Sequence, residues 1–107
     1  MNLPTHRDGE TFTLTLNEAR LDALCAAGFR RALQDCVAQG GRRLVIDMSA
    51  TSFIDSSGLG ALVSALRKLP GPGSLVLRGV TPPVERALRL ARLDRILVLE
   101  SSATPRP

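Results

Sequence analysis

A five-residue apolar segment near the middle of the chain limits the folds that the sequence can adopt. Leu44–Met48 contains four large apolar residues and one aspartate, and it follows the pair Gly40-Gly41 closely. The segment is too short for a helix, and it lacks the polar alternation of a strand with one solvated face. We therefore interpret it as a central strand covered on both faces, as in the parallel sheets of α/β proteins.

Segments on both sides of this strand alternate between strand and helix patterns. Thr11–Leu16 alternates polar and apolar residues, which predicts a half-buried strand, and Asn2–Arg7 is a weaker partner strand turned at Asp8-Gly9. Together these elements predict an α/β fold with a parallel or mixed sheet covered by helices. The remaining predicted elements are helices over Leu21–Gln39, Ser56–Leu69 and Pro82–Ala91, and strands over Ser74–Leu77 and Arg95–Glu100.

The chain length and the lack of a dividing linker indicate one domain. The 107 residues contain no linker that would divide two domains, so we expect a single domain over residues 1–100 and a flexible tail over Ser101–Pro107. No apolar run approaches the ~18 residues that cross a bilayer, and Met1–Glu10 lacks the apolar core of a signal peptide. These features predict a cytoplasmic protein without a membrane partner.

The charge balance is basic, with 14 Lys and Arg against 10 Asp and Glu, and this raises the question of nucleic-acid binding. The aromatic content argues against single-strand binding, because the chain has three Phe, no Tyr and no Trp to stack on bases. All three Phe also lie within apolar patterns that core packing explains. We therefore expect no direct nucleic-acid partner.

The first predicted helix has one apolar stripe and one polar face. Cys25 and Cys36 lie eleven residues apart in it, which is about 16 Å along a helix and too far for a disulfide. With His6 as the only histidine they do not match a zinc site either, so we expect two small core residues, no metal and no cofactor. The stripe comprises Leu21, Leu24, Cys25, Phe29, Ala32, Leu33, Cys36 and Val37, and the polar face carries Arg30, Arg31, Gln34 and Asp35.

The segment that follows the central strand carries the strongest functional signal. Phe53-Ile54 are expected to plug the core, and Asp55-Ser56-Ser57-Gly58 then begin a helix, because Asp and Ser oxygens accept hydrogen bonds from the unpaired N–H groups of a first turn. A serine here is exposed, surrounded by free N–H donors and placed at the positive end of the helix dipole, where a phosphoryl group is accommodated. The residues alone leave two interpretations open. The segment only caps a helix, or its serine is a modification site that changes the docking of a partner.

An enzymatic role for Ser56 is not favoured. A nucleophile elbow requires glycine two residues before the serine, and Ile54 stands there. His6 lies in a weakly patterned N-terminus, so no base is placed for a catalytic triad, and the sequence has no phosphate-binding loop. Asp47 and Asp55 are two carboxylates near one strand end, but a solvated Asp47 and a helix-capping Asp55 explain them better than a cation or acid–base pair. We therefore expect no enzymatic activity.

Nearly the entire chain, roughly residues 10–100, resembles STAS domains, specifically the anti-sigma factor antagonists of bacteria. The resemblance is carried by Leu44–Asp47, by Phe53–Gly60 and by Leu62 in the following helix. It continues at Leu21-Asp22, where the first helix of the family starts, and in the stretch Val80–Leu93. The resemblance implies a mixed four- to five-stranded sheet with helices packed on one side.

The resemblance also implies a partner-switching function. Ser56 matches the serine that a cognate anti-sigma factor, itself a serine kinase, phosphorylates. In that family the unphosphorylated antagonist binds the kinase and frees the sigma factor, and a PP2C-type phosphatase restores this form. Asp22 and the loop of Asp55, Ser57, Gly58 and Leu59 match the positions that dock the kinase.

Two further expectations concern the limits of this resemblance. The sequence after the last strand is short, so we expect the family's C-terminal helix to be absent or unformed. An alternative role is that of a STAS-domain scaffold in a stress-signalling assembly or of an accessory subunit of a lipid-transport ATPase. The lipid-transport type typically carries Thr at the position of Ser56, which argues against it.

Overall fold

The computed structural model describes residues 3–101, which form one mixed sheet, one small strand pair and three α-helices. The strands are β1 (Thr5–Asp8), β2 (Thr11–Thr15), β3 (Arg20–Leu21), β4 (Arg43–Asp47), β5 (Phe53–Ile54), β6 (Leu75–Val80) and β7 (Val98–Ser101). The helices are α1 (Ala26–Ala38), α2 (Ser56–Leu66) and α3 (Pro82–Leu90), and a 3₁₀ turn spans Leu93–Arg95.

The main sheet has the strand order β1-β2-β4-β6-β7, in which only the β1–β2 pair is antiparallel. From β2 onward, each new strand of this sheet is added next to the previous one, always on the same side. Right-handed crossovers between these parallel strands then place α1, α2 and α3 on one face of the sheet. The core confirms this arrangement, since Leu14, Ile46 and Leu77 from that face pack with Phe29 and Leu62 from the helices. The expected mixed sheet with helices on one side is therefore confirmed.

The central position of β4 is also confirmed. Leu44 and Ile46 point into the helical core, while Val45 points to the opposite face and is still only 2% exposed. Thr13 and Val76 lie beside it on the two neighbouring strands. Burial on both faces explains why this segment lacks polar alternation.

The predicted start of the first helix at Leu21 is wrong by five residues. Leu21 belongs to β3, and a turn follows because the backbone oxygen of Asp22 accepts hydrogen bonds from the N–H groups of Cys25 and Ala26. The Asp22 carboxylate accepts a further one from the Leu24 N–H. Leu24, expected on the apolar stripe, is 95% exposed.

Other element ends differ by smaller amounts. The second helix ends at Leu66 rather than Leu69, although Leu69 remains buried. The last strand begins at Val98 rather than Arg95, because the 3₁₀ turn takes the preceding residues. Within the part of the chain that the structure describes, no helix has the length and apolar character needed to span a membrane.

Two expectations concern residues at the chain ends. The predicted tail began at Ser101, but Ser101 is the last residue of β7 and pairs with Val80. The predicted first strand included Asn2, and the rest of the tail and the missing C-terminal helix concern residues 102–107. These positions lie outside the described residues, so both expectations stay predictions. The first strand pairs antiparallel with β2, as expected, but it spans Thr5–Asp8. Its turn lies at Gly9-Glu10 rather than at Asp8-Gly9, because Asp8 is still paired with Thr11.

Replacing Leu62 by Ala tests the position of α2 on the core. Leu62 is completely buried, so Leu62→Ala should lower the free energy of unfolding by about 2–5 kcal/mol. Leu24→Ala is the matched control, and this exposed position should change stability by less than about 0.5 kcal/mol. Chemical denaturation followed by circular dichroism measures both values, and equal stabilities of the two variants would contradict the packing described here.

Candidate functional site

The short strands β3 and β5 bring two distant parts of the sequence together. They pair in parallel, with Leu21 opposite Ile54, and each is followed directly by an aspartate. The Asp55 N–H donates a hydrogen bond to the Leu21 backbone oxygen at 3.3 Å. Asp22 and the loop beginning at Asp55 therefore lie at the same edge of the domain.

Asp55 is the N-cap of α2. Its extended backbone turns the carboxylate toward the helix, where Oδ1 accepts hydrogen bonds from the N–H groups of Ser57 at 2.8 Å and Gly58 at 3.1 Å. The interpretation of Asp55 as a helix cap is confirmed. One expectation for Ser56 is wrong. The N–H groups of Ser57 and Gly58 were expected to be free beside it, but both donate to the Asp55 carboxylate.

Ser56 is the first residue of α2, and its side chain is exposed. Its hydroxyl makes no hydrogen bond with any group in residues 3–101. Together with Ser57 and Gly60 it lines one wall of an open groove of about 370 Å³ between α2 and the beginning of α1. The opposite wall is formed by small side chains and by Arg30. A partner therefore has direct access to the Ser56 hydroxyl.

Gly58 and Gly60, near the start of α2, differ in whether a larger residue would fit. A Cβ atom on Gly58 would lie 2.6 Å from the Leu21 backbone oxygen and 2.7 Å from Cγ1 of Ile54, closer than packing allows. A Cβ atom on Gly60 would have no neighbouring atom within 4 Å. Gly58 is thus required by the approach of α2 to β3, whereas no contact in the described structure requires Gly60.

The Asp22 carboxylate is engaged within the domain. One oxygen accepts the Leu24 N–H at 3.1 Å, and the other pairs with the Arg20 guanidinium at 3.3 Å. Arg20 also lies over the Phe53 ring, 3.9 Å from its centre. The expectation that Phe53 fills the core is wrong, because the residue is 37% exposed and the Arg20 guanidinium lies over its ring.

The carboxylates and cysteines show no metal-binding arrangement in the described residues, where no cluster of three or more His, Cys, Asp or Glu side chains occurs. Asp47 accepts two hydrogen bonds from Ser49, at 2.9 Å from its N–H and 2.7 Å from its hydroxyl. Cys36 is buried as expected, and burial, with a smaller contribution from Asp35, raises the pKa of its thiol. Cys25 is only half-buried, since α1 starts after it.

The fold and the site together define a class of protein. It is a small α/β domain of successive parallel βα units that presents an exposed serine at a helix start, beside a capping aspartate. The model of the STAS domain matches residues 2–104, and the chain belongs to this family.

Solved structures of similar fold agree with this assignment. A Thermotoga maritima protein assigned as an anti-sigma factor antagonist is 25% identical, with 94% of this chain and 87% of that chain covered at a TM-score of 0.81. An anti-sigma factor antagonist from Mycobacterium paratuberculosis is 27% identical, with 92% and 84% covered and a TM-score of 0.75. A sulfate transporter family protein from Wolinella succinogenes is 15% identical over 88% and 80% of the two chains, at a TM-score of 0.66. At that identity the last similarity concerns the fold alone.

Alanine substitutions at the two glycines test the geometry of the site. Both positions are helical and gain about the same helix propensity from Ala, so the difference between them isolates the clash at Gly58. Gly60→Ala should raise the free energy of unfolding by about 0.5–1 kcal/mol. Gly58→Ala should lower it by about 1–3 kcal/mol. Thermal and urea denaturation of both variants gives these values, and a stabilised Gly58→Ala would show that α2 does not start against β3.

Proposed function

We propose that this protein is an anti-sigma factor antagonist whose docking to a serine-kinase anti-sigma factor is switched by phosphorylation of Ser56. The observation that carries the proposal is the Ser56 hydroxyl, which is exposed at the first residue of α2 and lines an open groove. Membership of the STAS family and the similarity to two anti-sigma factor antagonists support the same function.

The modification adds a charged group without disturbing the fold. The Ser56 oxygen attacks the γ-phosphorus of ATP, the bond from that phosphorus to the β–γ bridging oxygen breaks, ADP leaves, and a base of the kinase takes the hydroxyl proton. A PP2C-type phosphatase reverses the modification by hydrolysis. The phosphoryl group brings about −1.5 to −2 charges to the groove. Because Ser56 is exposed and the cap belongs to Asp55, the helix start is retained while the docking surface changes sign locally.

The other site residues support docking in different ways. Leu59 and Ser57 form the surface beside Ser56, with Leu59 also packed against the core and Ser57 exposed. Gly58 is buried and determines how close α2 lies to β3. Asp22 shapes the neighbouring turn through its bonds to Leu24 and Arg20. In this proposal Asp22 and Asp55 order the surface, and the serines and Leu59 contact the partner.

Phosphorylation by the cognate kinase should depend on one of two adjacent serines. With kinase and ATP, the wild-type protein should gain one phosphoryl group, Ser56→Ala should gain none, and Ser57→Ala should still be modified. Intact-mass spectrometry counts the groups and peptide mapping locates them. Full modification of Ser56→Ala would refute the assignment. A wild-type protein that remains unmodified would instead favour the role of a scaffold or accessory subunit.

A permanent negative charge at Ser56 should weaken docking. Ser56→Asp should raise the dissociation constant for the kinase at least about tenfold, because one misplaced charge in an interface costs more than about 1.4 kcal/mol. Gln39→Glu adds one negative charge at the far end of α1 and is the matched control. Calorimetric titration measures both affinities. The proposal fails if Ser56→Asp binds as tightly as the control.

A further inference from the structure

Arg30 is the only charged residue among the described residues that line the groove beside Ser56. Four ion pairs between arginines and carboxylates occur in the described part of the chain, and Arg30 takes part in none of them. The rest of the groove consists of Ser, Ala and Gly residues. An exposed guanidinium without a carboxylate partner therefore faces the same space as the Ser56 hydroxyl.

The register of the two helices places Arg30 close to Ser56 along the groove. The Gln34 side-chain amide donates to the Ser64 hydroxyl at 3.4 Å, which aligns these two positions across α1 and α2. Both helices run in the same direction, since each leads from one parallel strand of the sheet to the next. Arg30, one turn before Gln34, is then level with Gly60, about one 5.4 Å turn beyond Ser56.

The expected direction of the Arg30 side chain shortens this remaining distance to Ser56. Long side chains on a helix lean toward its N-terminus, which at Arg30 is the direction of Ser56. The lining residues beside this path are small, with Ala27 on α1 and Gly60 on α2. The path along the groove is therefore open to a long side chain.

The start of α2 offers few free N–H donors to a phosphoryl group on Ser56. Asp55 already occupies the N–H groups of Ser57 and Gly58. A guanidinium offers several N–H donors in a planar fork that matches two phosphoryl oxygens at once. Arg30, the one charged side chain among the described residues that line the groove, has such a fork.

We infer that Arg30 binds the phosphoryl group on Ser56 and draws it into the groove between α1 and α2. This inference rests on the proposed function and deepens it. Phosphorylation then weakens docking in two ways. It adds negative charge, and the ion pair between Arg30 and the phosphoryl group fills the part of the groove that a partner side chain would enter. Arg30 is a positioning residue that acts after modification and takes no part in phosphoryl transfer.

Phosphorus NMR of the full chain tests the contact without any kinase, with phosphoserine incorporated at position 56 during synthesis. A nearby guanidinium favours the dianion, so the second pKa of the phosphoryl group should lie at least about 0.5 pH unit lower with Arg30 than in Arg30→Gln. Arg31→Gln removes an exposed arginine that does not line the groove, and it should leave this pKa unchanged. Arg30→Lys keeps the charge but not the fork, so it should restore part of the shift.

The outcomes separate this inference from the proposed function. Equal pKa values in the parent and in Arg30→Gln, or equal shifts in Arg30→Gln and Arg31→Gln, would overturn the inference while the kinase assay still decides the function. If the kinase leaves Ser56 unmodified but the Arg30-dependent shift is present, the proposed function fails and the contact stands.

Discussion

The start of α2 lies directly against the end of β3, and the geometry of the candidate site depends on this contact. The Leu21 backbone oxygen accepts the Asp55 N–H and lies so near Gly58 that no side chain fits between them. Two-residue strands contribute little hydrogen bonding of their own. The close packing at Gly58 therefore adds to the neighbouring bonds from Thr51 to Glu18 and from Ser52 to Ala19 that join the two segments. It brings the two aspartates to one edge and leaves α1 and α2 side by side with a groove between them.

Two adjacent residues at the start of α2 have separate roles: Asp55 stabilises the helix start, and Ser56 carries the exposed hydroxyl. The Asp55 carboxylate satisfies two N–H groups of the first turn, a role worth about 1 kcal/mol in typical helices. The hydroxyl of Ser56, the next residue, makes no hydrogen bond within the described structure. A charge can therefore be added to and removed from Ser56 while the cap stays in place. A serine that was itself the cap would couple each modification to a partial loss of the helix.

The sequence predicted the elements whose signals are local and repeated. β4 is recognisable from a run of apolar residues, and the cap from a single aspartate before two serines. The turn at Asp22 escaped prediction because Leu24 falls by chance in phase with the apolar stripe of α1. The exposure of Phe53 escaped it because two-residue strands have no periodicity. Arg30 was interpreted as part of a solvated face, since its place in the groove follows only from the register between α1 and α2.

A shared fold does not decide function, since STAS-like folds carry different roles. What favours a docking function here is a feature that the fold does not need. Gly60 lies in the middle of a helical turn without a contact that requires glycine, although glycine costs a helix about 0.5–1 kcal/mol relative to alanine. Its absent side chain keeps the groove beside Ser56 wide, between that serine and Arg30. Stability given up at one surface position, next to an exposed hydroxyl, is typical of a site maintained for a partner.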